Sequence, residues 1–177
     1  MNFNNGPDGC LYVACRYREV IEDESAIADD ILKYLDLYSG RDRGRILRVS
    51  PENFKTPAPP RLGQSGTTEL VAALAHPDAW WRETAQRLIY ERQDKSAIDP
   101  LRKLARGAEF PLARLHALYA LQGLGALDEK SLLAAMNHPE ARLREDGAKL
   151  SEAKLDSAAV RAKLPSLADD PAPHVRF

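Results

Sequence analysis

Histidine and cysteine are the residues of this chain that could most directly bind metal or act as nucleophiles, and their spacing argues against both roles. His76 and His138 each stand six residues before an arginine of an internal repeat, so both could line one edge as metal ligands. They are two repeats apart, however, and even neighbouring helices lie about 10 Å from each other. We therefore predict turn residues rather than ligands. Cys10 and Cys15 match no Cys-x-x-Cys metal or haem motif, and beside a predicted strand they are expected to be small buried hydrophobic residues.

No motif in the sequence nominates a catalytic group. The chain has no P-loop, no motif that places a Ser-His-Asp arrangement and no paired-carboxylate signature. Gly123-Leu124-Gly125 ends a predicted helix and no strand precedes it, which indicates a helix C-cap rather than a dinucleotide-binding loop. We expect no enzymatic activity from this chain alone, no cofactor and no metal.

Arginine and tryptophan are the residues best suited to recognition. Four repeat arginines could form a phosphate-binding ladder, but residues 67–177 contain 16 basic and 16 acidic side chains, which favours salt bridges or carbonyl caps between repeat units. Trp81 is predicted to pack in the core, whereas Trp80 is expected to be partly exposed and to form a candidate partner surface with Arg87 and Arg142. A second basic cluster, near the N-terminus, is expected to pair with acidic residues of its own segment. The arginines are Arg41, Arg43, Arg45 and Arg48, and the acidic residues are Glu22, Asp23, Glu24, Asp29 and Asp30.

The composition is that of a folded, soluble protein. The chain has 177 residues, of which 44% are hydrophobic, and 25 basic residues face 26 acidic ones for a net charge of -1. A general nucleic-acid binder would need an excess of positive charge, so that class is not expected. No run of 18 apolar residues occurs, and the first residues lack the basic and apolar regions of a signal peptide. The sequence therefore predicts neither a membrane span nor a secretion signal.

The elements that position these residues fall into three zones. Residues 1–54 have short apolar runs and turn residues, residues 55–67 form a proline-rich linker, and residues 68–177 are predicted to be all helical. The helical zone repeats with intervals of 32, 30 and 32 residues between its aligned arginines. We divide it into repeat units at residues 68–95, 96–125, 126–155 and 156–177, the last one incomplete. The repeat-structural positions are Pro77, Trp81, Arg82, Arg114, Pro139, Arg144, Pro171 and Arg176.

Each repeat unit is predicted to contain two helices. The proline five residues before the arginine suits the start of the second helix, and positions -1, +3 and +6 relative to the arginine form its core face. The second unit has Glu109 at the proline position and Pro111 two residues later, so an altered helix start is expected there. The first helices are predicted at residues 69–75, 97–106, 128–136 and 157–168. The pattern resembles short HEAT-like repeats, and it predicts a mostly α fold, an α-α superhelix with a small N-terminal α+β segment.

The N-terminal zone is predicted to contain two strands and a helix. A turn at Gly6-Pro7-Asp8-Gly9 precedes a strand that begins at Leu11, a second strand covers residues 45–49, and a helix capped by Ser25 covers residues 25–37. Two such strands make at best a marginal sheet in water.

Several motifs of this zone resemble a known family. Gly6-Pro7-Asp8-Gly9-x-Leu11-Tyr12-Val13 and Ser39-Gly40-Arg41-Asp42-Arg43-Gly44 resemble the last β-propeller blade of predicted membrane-bound dehydrogenase proteins of planctomycete and verrucomicrobial type. His76-Pro77-Asp78-Ala79-Trp80-Trp81-Arg82 resembles the start of the HEAT region that follows that propeller. The resemblance implies a parent protein with a sugar or sorbosone dehydrogenase-like propeller, HEAT repeats, often a haem-binding domain, and a periplasmic or extracytoplasmic location.

The sequence departs from that family in ways that bear on function. About one blade of propeller is present and no Cys-x-x-Cys-His occurs, so neither the implied sugar-oxidising pocket nor the haem site can form from this chain. The leading hypothesis is a non-catalytic HEAT-repeat scaffold or protein-interaction module, a fragment of a larger protein that binds a protein partner or the missing domains. The alternative is the junction of a propeller-type sugar dehydrogenase whose active site lies elsewhere. Uncapped ends are expected to expose Leu11 and Val13 on one side and Leu164, Leu167 and Val175 on the other, and so to promote self-association.

Overall fold

The chain forms two compact units, which we call the sheet unit, Met1–Pro59, and the helical unit, Pro60–Phe177. The computed structural model describes residues 2–18, 20 and 23–176. These residues are mostly helical, with one small antiparallel sheet of three strands.

The sheet unit is built on a tight hairpin. Strands β1 (Asn2–Asn5) and β2 (Leu11–Cys15) pair antiparallel, and β3 (Arg45–Val49) pairs antiparallel with the other side of β2. The hairpin turn closes where the Gly6 N–H donates to the Cys10 carbonyl at 2.9 Å, and Gly9 takes a positive φ of 79° that favours glycine. The turn and both expected strands are confirmed, but sequence reasoning missed β1.

The predicted helix over residues 25–37 is wrong. A 3-10 turn, Glu24–Ala26, is followed by a single helical turn, α1 (Asp29–Leu32). Asp23 rather than Ser25 supplies the cap, because its carboxylate accepts from the Ser25 N–H at 3.0 Å. Neither element has a buried residue, so no buried apolar face stabilises a longer helix.

The helical unit contains four pairs of helices. The first helices are α2 (Thr67–Ala73), α4 (Ile98–Gly107), α6 (Glu129–Met136) and α8 (Ala158–Lys163), and the second helices are α3 (Ala79–Arg92), α5 (Pro111–Gly123), α7 (Ala141–Leu150) and α9 (Pro173–Arg176). Short 3-10 turns lie at Leu62–Gln64, Lys95–Ala97, Ser151–Lys154 and Leu164–Leu167. Within three of the four pairs the two helices pack on each other: α2 with α3, α4 with α5, and α6 with α7. The expected helix starts are found within two residues, and Gly125, with φ 65°, closes the predicted C-cap of α5.

The pairs stack in two layers. Each first helix contacts the next first helix, from α2 through α8, and each second helix contacts the next second helix, from α3 through α9. The core lies between the layers. The expected core columns are confirmed at Ala113, Leu143 and Val175 before the arginine and at Ala85, Ala117 and Gly147 after it, all buried.

Two details of the helical unit correct the sequence-based expectations. The second helix starts three residues before the repeat arginine in all four pairs, so the altered start expected at Pro111 does not occur. Leu167 and Val175 are only 5% and 6% exposed, because the 3-10 turn and α9 pack against α7.

Among the described residues no helix is both long and apolar enough to cross a membrane.

Candidate functional site

The repeat arginines bind the turn that precedes their own helix. Arg82 Nη1 donates to the carbonyls of His76 and Pro77, both at 2.7 Å, and Arg144 Nη1 donates to the equivalent carbonyls of His138 and Pro139 at 2.9 and 2.7 Å. Arg114 Nε donates to Ala108 O and Arg176 Nη1 donates to Asp170 O, also six residues earlier. A guanidinium provides several donors in a fixed geometry, which suits the capping of adjacent carbonyls.

These caps act mainly within a repeat unit, which corrects the expectation of caps between units. Arg144 is the exception, since its Nε and Nη2 also bind both oxygens of Asp170 at 2.7 and 2.8 Å in the next unit. This bidentate hydrogen bond holds the pKa of Asp170 at about 2. The donors of Arg144 are therefore occupied by the protein itself, which argues against the alternative of a phosphate-binding ladder.

Sequence reasoning missed one member of this set. Arg161 Nη1 donates to the Leu155 and Asp156 carbonyls, six and five residues earlier, and Arg161 also stands three residues after the start of its helix, α8. The arginine intervals alone could not find it, because Arg161 lies 17 residues after Arg144. The signal that could have identified Arg161 is the constant spacing of three residues between the first residue of a helix and its arginine.

Side chains bridge successive second helices. We call the surface formed by these contacts and by exposed Arg87, Tyr90 and Arg142 the second-helix face. Gln86 Oε1 of α3 lies 2.6 Å from His116 Nδ1 of α5. Further along, the Tyr119 hydroxyl of α5 donates to Asp146 Oδ1 of α7 at 2.6 Å. Polar contacts thus tie α3 to α5 and α5 to α7.

Asp146 is the most buried charged group of this face. It is 1% exposed, and its Oδ2 lies 2.7 Å from Arg142 Nε one helical turn earlier. Arg142 itself is half-exposed and also lies 3.3 Å from Glu145, which contacts Lys149 and lies 3.9 Å from His174 of α9. The contact chain therefore runs from α5 to α9.

Burial sets the protonation behaviour of this face. Desolvation, followed by the hydrogen bond to Asp146, raises the pKa of Tyr119 to about 12, so the phenol stays protonated and donates. Desolvation and the nearby Arg82 charge lower the pKa of His116 to about 4, so its imidazole is neutral at pH 7. Both groups are therefore uncharged at neutral pH.

The candidate partner residues lie along this layer but do not touch one another. Trp80 and Arg87 are seven residues apart on α3, and Arg142 lies two helices away on α7. Arg87 is exposed and lies 3.9 Å from Glu91, whereas Trp80 is half-buried with its ring edge-on to Trp81.

A shallow cavity of about 390 Å³ lies on the opposite layer, between α2 and α4.

Trp81 is only half-buried, although it packs against the core as expected. Its ring stacks on His76 with centroids 4.5 Å apart.

His76 and His138 are turn residues, because their Nδ1 atoms accept from the Asp78 and Glu140 N–H groups at 3.0 Å. No group of three or more His, Cys, Asp or Glu residues in the described part of the chain could hold a metal ion.

The cysteines lie in the sheet unit at the two ends of β2. Cys10 is buried, as expected of a small hydrophobic residue, whereas Cys15 is only partly buried. Both are free thiols.

Among the described residues, the arginine cluster of the sheet unit does not form the expected pairs. Arg48 binds Asp8 of the hairpin turn at 2.7 Å, not the acidic residues of positions 22–30. Arg43 and Arg45 lie over the ring of Tyr17, and Arg41 lies over the ring of Tyr38. Glu22, one of the expected partners, is outside the described residues.

Comparison with known proteins identifies only the N-terminal part of the chain. Residues 1–53, which include the three-stranded sheet, match a domain of unknown function, DUF7133. No curated protein and no solved structure matches the chain. The match is to a domain with no described activity, so the relation to dehydrogenase proteins stays a prediction.

Proposed function

We propose that the helical unit is a short HEAT-like α-solenoid that serves as a non-catalytic scaffold and binds a protein partner through its second-helix face. The observation that carries the proposal is the continuous stacking of α3, α5, α7 and α9, with hydrogen-bond-distance contacts from α3 to α5 and from α5 to α7. Stacked helix pairs present an extended surface on which neighbouring repeats contribute to one binding site.

The fixed geometry of this face favours recognition. The arginine caps hold the turns before α3 and α7, and the Tyr119–Asp146 hydrogen bond holds α5 against α7. A surface that is ordered before binding loses less conformational entropy when the partner docks. Exposed Arg87, Tyr90 and Arg142 then supply the residue types that dominate binding energy at protein interfaces.

Site-specific photocrosslinking tests the proposal in cells that produce the chain. Benzoylphenylalanine in place of Arg87 would report on the second-helix face, and the same residue in place of Lys130, exposed on the first helix α6, is the matched control. We expect a discrete protein adduct from position 87 that weakens when Arg142 is changed to glutamate. Equal adducts from both positions, or no adduct from position 87, would contradict the proposal.

A second candidate function is the junction part of a propeller-type sugar dehydrogenase. It is supported by the resemblance of the N-terminal motifs to a propeller blade and by the three-stranded antiparallel sheet that these residues form. In this case the chain alone would oxidise no sugar, and activity would require a propeller partner. Failure to co-purify with such a propeller, when the two are produced together, would exclude this function.

A further inference from the structure

The third strand of the sheet has an open edge. In the strand order β1-β2-β3 only one side of β3 is paired, and all five of its residues are exposed, Ile46 to 73%. Among the described residues, the backbone of β3 has no hydrogen bond outside its ladder with β2. An open strand edge of this kind is a template for the backbone of another extended segment.

Two arginines lie at the start of this edge strand, and both stack on Tyr17, which follows β2. Arg45 begins β3, and its guanidinium carbon lies 4.0 Å from the centroid of the Tyr17 ring, while that of Arg43 lies 5.9 Å from it. The loop before β3 is held against Tyr17 at Gly40, which has φ 74° and where a Cβ would lie 2.0 Å from the Tyr17 carbonyl oxygen. Any larger residue at position 40 would therefore displace this loop.

The charge of these arginines is not neutralised by ion pairs in the described part of the chain. No described carboxylate lies within salt-bridge distance of Arg41, Arg43 or Arg45, although Asp42 is exposed in the same loop. A guanidinium stacked on an aromatic ring keeps its N–H edge available for a carboxylate. The guanidinium groups of Arg43 and Arg45 can therefore bind carboxylates of a partner.

We propose that the open edge of β3 binds an extended acidic peptide of a partner protein as a fourth strand, with its carboxylates at Arg43 and Arg45. Exposed Ile46, Leu47 and Val49 add apolar contacts on both faces of the sheet. A nucleic acid fits less well, because three arginines would neutralise only about three phosphates, fewer than the roughly 6–10 phosphate contacts of a strongly salt-dependent DNA binder. This binding site lies in the sheet unit and is independent of the second-helix face.

Fluorescence anisotropy with the full chain tests this site. The probe is a labelled peptide of alternating valine and glutamate, compared with a lysine-for-glutamate peptide and with the acidic peptide N-methylated at alternate residues. The N-methylated peptide keeps the charge but cannot form a strand ladder. We expect binding of the acidic peptide only, weakened by added salt.

Charge-reversal variants locate the site. The double variant Arg43→Glu/Arg45→Glu should weaken binding about tenfold or more, since each charged hydrogen bond lost costs roughly that factor. The matched control Lys103→Glu/Lys130→Glu makes the same charge change on the helical unit and should bind as the original chain does. Far-ultraviolet circular dichroism of both variants would establish that the fold is kept.

Three results would overturn the proposal. If the N-methylated peptide bound as tightly as the acidic peptide, the strand edge would not be the binding site. If the lysine peptide bound as tightly, the arginines would not contribute to recognition. Tighter binding of duplex DNA or heparin than of the acidic peptide would assign the arginines to a different partner. Failure of this test leaves the photocrosslinking result at Arg87 unaffected, because the two surfaces lie in different units.

Discussion

Replacing Gly147 by alanine is expected to destabilise the helical unit, although alanine favours helices. Gly147 lies in α7 where that helix packs on α6. A Cβ at this position would lie 3.1 Å from the backbone nitrogen of Met136 and 3.2 Å from Ala135 Cβ, both in α6. The two contacts are with buried residues, and one is with backbone, so neither can be relieved by a side-chain rotation alone.

Two opposing effects decide the size of the change. Glycine to alanine within a helix stabilises by about 1 kcal/mol, whereas overpacking a well-packed core costs about 1–3 kcal/mol. Because the backbone of α6 must shift, we place the cost in the upper half of that range and expect a net loss of about 1–2 kcal/mol. For a unit of this size that is a fall in Tm of roughly 4–8 °C.

Thermal and urea unfolding followed by circular dichroism would measure the loss. Gly107→Ala is the matched control, because Gly107 ends α4 and no atom lies within 4 Å of where its Cβ would be. This control is expected to be neutral or slightly stabilising. If Gly147→Ala instead raised the stability as much as Gly107→Ala, the inferred close contact between α6 and α7 would be wrong.

Two further changes probe the polar contacts between repeats. Tyr119→Phe removes the 2.6 Å hydrogen bond to buried Asp146 and should lower the free energy of unfolding by about 1–3 kcal/mol. The control Tyr90→Phe changes an exposed side chain and should alter the free energy of unfolding little. Equal effects of the two variants in urea unfolding would contradict the role given to the Tyr119 hydroxyl. Asp170→Asn tests pH dependence: the pKa of Asp170 falls from 3.8 to about 2 on folding, so its stabilisation is full above 3.8 and is lost as pH falls toward 2. The stability gap between the original chain and Asp170→Asn should therefore close over this pH window, and a constant gap would refute it.

Much of the fold could be predicted because it depends on local patterns of residue type and spacing. The repeat interval and the apolar period placed the helices of the helical unit to within a few residues at their starts, and the turn at Gly6-Pro7-Asp8-Gly9 placed the start of β2. Where the local pattern was weak, prediction failed. Residues 25–37 have helix-compatible composition, but the structure leaves α1 only one turn long with no buried residue.

The candidate sites depended on contacts between distant segments, which local patterns do not encode. The sequence by itself determined that the chain is mostly helical, repetitive and nearly neutral, because residue type and spacing fix helix periodicity and charge. Only the tertiary structure decided that Asp146 is buried beside Tyr119, 27 residues earlier, and that Arg144 reaches Asp170, 26 residues later. It also placed the guanidinium of Arg45 over the ring of Tyr17. The physical reason is that burial and partner choice are set by how whole helices and strands pack against one another.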